Sequence, residues 1–158
     1  MKMGLQRSCL LFLITVIALT GCDEFQSGRV IETQTGTAVK RVHDEALINQ
    51  GAGVYRANCA ICHGDNAEGN ANWRKKGPDG KYPPPPLNGS GHTWHHALPQ
   101  LKEMIAEGSP PDQGNMPAWG DKLTDHEIDA VIAWFQSLWP DEVYAAWYDM
   151  QERARGQP

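Results

Sequence analysis

Apolar and polar positions fall into blocks along this chain. Lys2 and Arg7 precede an apolar run from Cys9 to Leu19, which is shorter than the roughly 20 residues a bilayer span requires. From Asp23 to about His43 large apolar residues are sparse. There Gln26-Ser27-Gly28 and Thr33-Gln34-Thr35-Gly36-Thr37 show neither helical nor strand periodicity, which predicts a flexible tether over residues 22–44. Helical spacing begins next, with Leu47, Gly51, Val54, Tyr55 and Cys59 on one face. A Gly- and Pro-rich loop fills residues 64–91, after which Leu98, Leu101 and Ile105 repeat helically up to Gly108, with Pro110 and Pro111 beyond. The best-marked helix is predicted from Asp125 to about Trp139. Thr124 and Glu127 form a capping box, Leu123 and Ile128 stand at staple positions, and Ile128, Val131, Ile132, Phe135 and Leu138 make the stripe that Pro140 stops. Val143, Tyr144 and Trp147 predict another helix from Asp141 to Arg155. The pattern is therefore all-α, with one domain over 45–140 and a helical extension over 141–158.

The apolar run after two basic residues suits the core of an export signal. Leu19-Thr20-Gly21-Cys22 resembles the bacterial lipoprotein box, which implies removal of residues 1–21 and lipid on Cys22. Several acyl chains on one residue anchor stably, because each buried methylene contributes about 0.8 kcal/mol. Asp23, next to the lipidated position, resembles an inner-membrane retention signal and implies a protein that faces the periplasm. A tether of that length reaches roughly 25 Å.

Charge and composition narrow the classes further. The chain has 158 residues, 41% of them hydrophobic, and a net charge of −5. Removing Lys2 and Arg7 leaves 12 basic against 19 acidic residues, a balance of −7 that offers no basic face for nucleic acid. Each of the four cysteines has a more specific use than a disulfide: Cys9 and Cys22 belong to the export segment, and Cys59 and Cys62 form the single close pair.

Cys59-Ala60-Ile61-Cys62-His63 carries the chemistry. Two thiols three residues apart reach the two vinyl groups on one edge of a porphyrin, and the adjoining imidazole swings under the ring to the iron. A thioredoxin-like redox pair would want a βαβ setting, which is missing here. A zinc site would want a second ligand pair; no other cysteine supplies it, although His92, His95 and His96 keep nitrogen ligands available. A low-spin electron-transfer haem needs a sixth ligand, and a thioether favours the reduced iron. Met116 sits in Gly114-Asn115-Met116-Pro117-Ala118-Trp119-Gly120, where a methionine has no packing rationale unless it binds something. Met104 reads as a core or boundary side chain, and Met150 as an improbable ligand.

Together these residues resemble the class I c-type cytochromes over roughly Glu45 to Leu138. The resemblance implies four to five helices wrapped around one covalent haem c, held by Cys59 and Cys62 with His63 and Met116 as axial ligands. It implies that Gly51 permits close approach of the last helix, so that Val131 and Trp134 pack on Gly51 and Tyr55. It also implies that a carbonyl of Pro85-Pro86-Leu87-Asn88-Gly89 accepts the proximal imidazole N–H; Pro85 is the first choice and Pro86 stays open.

His92-Thr93-Trp94-His95-His96 goes beyond a generic cytochrome. In the simpler reading these side chains cover the haem edge, and the Trp94 indole N–H meets a propionate. In the sharper one, His92, His95 and His96 hold copper or a second metal. The expected function is a non-enzymatic shuttle of single electrons between redox donor and acceptor proteins at a bacterial membrane surface. The alternatives are a metal-handling haem protein and the electron-input subunit of a respiratory enzyme.

Overall fold

In the computed structural model, which describes residues 28–42 and 44–156, the helix entering the cysteine motif is α1 (Glu45–Asn58). Asp44 starts it, its Oδ1 accepting from the Leu47 N–H at 3.0 Å. Helix α4 (Asp125–Ser137) begins with the expected reciprocal box: Glu127 N–H donates to Thr124 Oγ1 at 3.2 Å, and Thr124 N–H to Glu127 Oε2 at 2.8 Å. The two helices cross where Gly51 meets Ala130. A β-carbon at Gly51 would overlap the Ala130 carbonyl, so glycine sets the distance between them. Beside the crossing Tyr55 is fully buried, its ring centroid 4.0 Å from that of Trp134, and Val54 and Val131 complete the cluster.

The remaining helices close the core. They are α2 (Ala60–His63), α3 (Leu98–Glu107) and α5 (Asp141–Arg155), with a 3₁₀ turn at Thr93–His95. Leu101 of α3, Ile128, Ile132 and Phe135 of α4, Trp139, and Trp147 of α5 form one buried cluster. Helix α5 also finishes the polar accounting of its neighbours. Buried Gln151 accepts from the Leu98 N–H at the exposed start of α3 (2.7 Å), and the Trp147 indole donates to the His96 carbonyl (3.0 Å).

Residues 28–42 are not the tether that the polar composition suggests. They fold as an antiparallel hairpin, β1 (Gly28–Glu32) and β2 (Ala38–Val42), in the register Ile31↔Val39. The Thr-rich stretch is its turn, with Thr33 N–H donating to the Thr37 carbonyl and Gly36 at φ +80°. Ile31, Thr33, Val39 and Arg41 all point to one buried face, and Ile31 and Val39 pack on Ala145 of α5 with Tyr144 and Tyr148. Arg41, 4% exposed, donates to the Gln136 carbonyl (2.6 Å), the Trp139 carbonyl (2.9 Å) and Asp141 (2.8 Å). Asp149 accepts from the Thr35 hydroxyl at 2.7 Å. Threonines and an arginine on the inward face hide the strand alternation in the sequence. The export segment 1–21, Cys22 and the rest of the tether up to residue 27 lie outside the described residues. Among the described residues no helix is long and apolar enough to cross a membrane.

Candidate functional site

Helix α1 delivers its last turn straight into the motif, with Cys59 N–H donating to the Tyr55 carbonyl at 2.8 Å. Cys59 is half-buried and Cys62 exposed, and both are free thiols. Burial, assisted by the neighbouring Cys62, pushes the Cys59 thiol up to about 11. Ile61, between them, is 92% exposed, so this turn presents its thiols at the surface of the fold. The Tyr55 hydroxyl donates to the Gly64 carbonyl at 2.7 Å and holds the chain as it leaves the motif.

His63 is buried, with Nδ1 2.9 Å from the Pro85 carbonyl. A carbonyl only accepts, so Nδ1 carries the proton and Nε2 keeps its lone pair. Burial lowers the imidazole pKa below its ordinary value, and the Pro85 bond opposes that shift in part. A neutral ring with one nitrogen tied and the other free is the form that binds a metal.

The proline run is stiff, and three successive carbonyls in it each take a different donor. Pro84 accepts from Asn70 N–H (2.9 Å), Pro85 from His63, and Pro86 from the Thr93 hydroxyl (3.2 Å). Of the two prolines left open by the sequence, Pro85 is the one bonded to His63. Gly69, at φ +62°, makes this possible, because a β-carbon there would collide with the Pro85–Pro86 peptide.

Met116 is half-buried in the loop that folds back over the end of α3. Its N–H donates to Ser109 Oγ at 3.0 Å, and its carbonyl accepts from Ser109 N–H at 3.1 Å. Trp119 N–H bonds the Ile105 and Ala106 carbonyls, so the loop satisfies groups that α3 leaves open. Met104 is 42% exposed, which excludes the core of its two expected places, and Met150 packs on the α3–α4–α5 cluster.

The histidine-rich turn packs its rings on one another and on neighbouring aromatic side chains. The Trp94 indole N–H donates to the Gly91 carbonyl at 3.1 Å, and the ring packs on the core cluster. The short loop from Gly91 to Trp94 supplies that acceptor. His92 stacks on Trp73 (4.9 Å) and meets His96 edge-on (5.4 Å), while His95 stacks on Trp94 (3.7 Å). Among the described residues, no three His, Cys, Asp or Glu side chains are grouped to hold a metal ion. Ser109, Gly69 and Asn115 were not singled out from the sequence. The Asp79-Gly80 turn signal and the glycine after the motif are the only cues that point toward them.

Residues 46–135 match the family described as cytochrome C oxidase, cbb3-type, subunit III. The chain is 33% identical over 100 residues to the cbb3-type cytochrome c oxidase subunit CcoP of Azospirillum brasilense, which covers 63% of this chain and 31% of that protein. It is 36% identical over 84 residues to cytochrome c6 of Bryopsis maxima, covering 53% of this chain and 83% of the relative. Cytochrome CL of Methylophaga aminisulfidivorans overlays with a TM-score of 0.49 at 21% identity, covering 82% of this chain and 95% of that one. The chain thus spans about a third of the CcoP relative but most of a cytochrome c6. With its all-α domain of five helices joined by a small hairpin, the chain belongs to the cbb3-type subunit III family as a monohaem class I c-type cytochrome that carries a covalently bound haem c for electron transfer.

Proposed function

We propose that Cys59 and Cys62 carry the two thioethers, His63 and Met116 are the axial ligands, and Pro85 is the carbonyl that fixes the proximal ring. The observation that carries this reading is the 2.9 Å bond from His63 Nδ1 to Pro85, which leaves Nε2 free beside two unpaired thiols on one helical turn. The bound haem supplies a one-electron iron couple, and a thioether on iron favours its reduced form. The residues around it hold rather than react. Pro85 orients the imidazole and raises its donor strength, and the Ser109 pair fixes the backbone of Met116. Trp94, packed on the core cluster, covers the haem edge.

The domain shuttles single electrons as a lipid-anchored protein: residues 1–21 are removed, Cys22 is acylated, and the cytochrome unit over 45–140 faces the periplasm from the inner membrane. Helix α5 packs into that unit through Trp147. The domain's partners are redox donor and acceptor proteins, including the remaining subunits of a cbb3-type oxidase, as the likeness to CcoP favours. In that setting the chain is a carrier within an oxidoreductase complex and not itself the catalyst. Co-purification from membranes distinguishes a dedicated subunit from a free carrier.

Reduced-minus-oxidised spectra of the mature protein, with Met116→Ala alongside, test the site. A low-spin spectrum is expected that turns high-spin and binds carbon monoxide after the substitution; an unchanged spectrum removes Met116 from the iron.

A further inference from the structure

A single stretch of chain, Asp79 to Pro85, bonds one proposed axial ligand, His63, and the residue next to the other, Asn115. At its far end the Pro85 carbonyl holds His63. At its near end the side chain of Asn115, the residue before Met116, is bonded on both sides: Nδ2 donates to Asp79 Oδ2 at 2.8 Å, and Oδ1 accepts from Lys81 Nζ at 2.7 Å. Tyr82 N–H adds a backbone bond to the Gln113 carbonyl at 2.8 Å.

The near end is a closed turn. Lys81 N–H donates to Asp79 Oδ1 (3.1 Å), Gly77 N–H to the Lys81 carbonyl (2.8 Å), and Gly80 takes φ +76°. Pro83 to Pro86 then run with fixed φ and little freedom to bend. A closed turn joined to a stiff strut passes a displacement along its length. The Met116 loop is tied to α3 through Ser109 and Trp119, and to the segment that holds His63 through the Asn115 side chain and the Tyr82–Gln113 backbone bond.

Resting on the ligand reading above, we propose that Asp79, Lys81 and Asn115 are positioning residues that clasp the Met116 loop to the proline strut and keep the thioether seated opposite the imidazole. All three bonds are at the surface, where such pairs contribute little to global stability. Their effect falls instead on the local equilibrium between seated and released thioether, which an added ligand reads directly.

The test uses the mature haem-loaded protein and titrates the ferric form with imidazole, which competes for the position that Met116 leaves. Asp79→Ala and Asn115→Ala are each expected to tighten imidazole binding by about two- to fivefold, the range open to exposed charged pairs. The double variant should exceed neither single by much, because both remove one shared bond. Lys81→Met, which keeps the Asp79–Asn115 bond, should show a smaller change in the same direction. The ferric thioether charge-transfer absorption should weaken in parallel. Imidazole affinity and absorption unchanged in both alanine variants overturn the clasp. Met116→Ala separates the two levels: if it abolishes the absorption while the clasp variants do nothing, only the clasp fails, and if it leaves the absorption intact, the ligand reading fails and takes the clasp with it.

Discussion

Gly51 of α1 lies against the Ala130 carbonyl of α4, with no room between them for a β-carbon. This contact sets how deeply Tyr55 and Trp134 interlock beside it. Gly51→Ala must separate the helices or twist α1, and overpacking of this kind costs about 3 kcal/mol. Denaturant unfolding should show the midpoint falling at constant slope. A loss under about 1 kcal/mol, well below that range, would mean that the crossing is looser than described.

The carbonyl that faces His63 is kept in place by a missing side chain. Gly69→Ala brings a β-carbon onto the Pro85–Pro86 peptide and pushes the Pro85 carbonyl off Nδ1. A weaker bond makes the imidazole a poorer donor, and a poorer donor stabilises ferric iron less. The midpoint potential should rise, as read by spectroelectrochemical titration. A variant that folds and keeps the parent potential would count against the Pro85 role.

Arg41 is buried among acceptors: two carbonyls at the end of α4 and the Asp141 carboxylate, with the Tyr144 ring 4.5 Å away. Arg41→Met keeps most of the volume but takes the side-chain donor from both carbonyls, leaving Gln136 the Trp139 N–H. Asp141 is 28% exposed and keeps Arg29, so the loss sits below that of a fully buried pair, at about 2 kcal/mol. Thermal unfolding measures it.

Acid should release the hairpin first. Bonds from Thr35, followed by Thr33, hold the Asp149 carboxyl below its ordinary range. A depressed carboxylate contributes in full above its unfolded value of about 3.9 and loses that contribution as pH falls through the lower folded value. Arg29 and Arg41 depress Asp141 in the same direction. Amide exchange at Ile31 and Val39, corrected for intrinsic rates, should therefore accelerate below about pH 4. Asp149→Asn should flatten part of that dependence; an unaltered profile would assign it to Asp141.

Helix α4 was legible because it writes its own stripe and cap, α1 because of its apolar stripe, and Gly51 because the spacing to Tyr55 and Cys59 put it on the buried face. The hairpin was not. Its inward positions include Thr33 and Arg41, and the partners of Arg41, Asp141 and the Gln136 carbonyl, lie about a hundred residues away in the chain. The cysteine motif and the Met116 loop stood out by composition. The choice between Pro85 and Pro86 did not, since it turns on which carbonyl faces back past Gly69. The bond from Trp94 to the Gly91 carbonyl was equally hidden, because its acceptor comes from a loop whose path composition does not reveal.

The hairpin also determines where mechanical load goes. Gly28 and Val42 are paired at its open end, and β2 runs almost directly into α1. Tension arriving from the direction of Cys22 would peel the strands apart one pair at a time, starting at Gly28, instead of shearing them together. The weakest element yields first, and the Thr35–Asp149 link resists last. If the chain is held through Cys22 as proposed, the hairpin lets its leash lengthen under strain while the helices stay undisturbed.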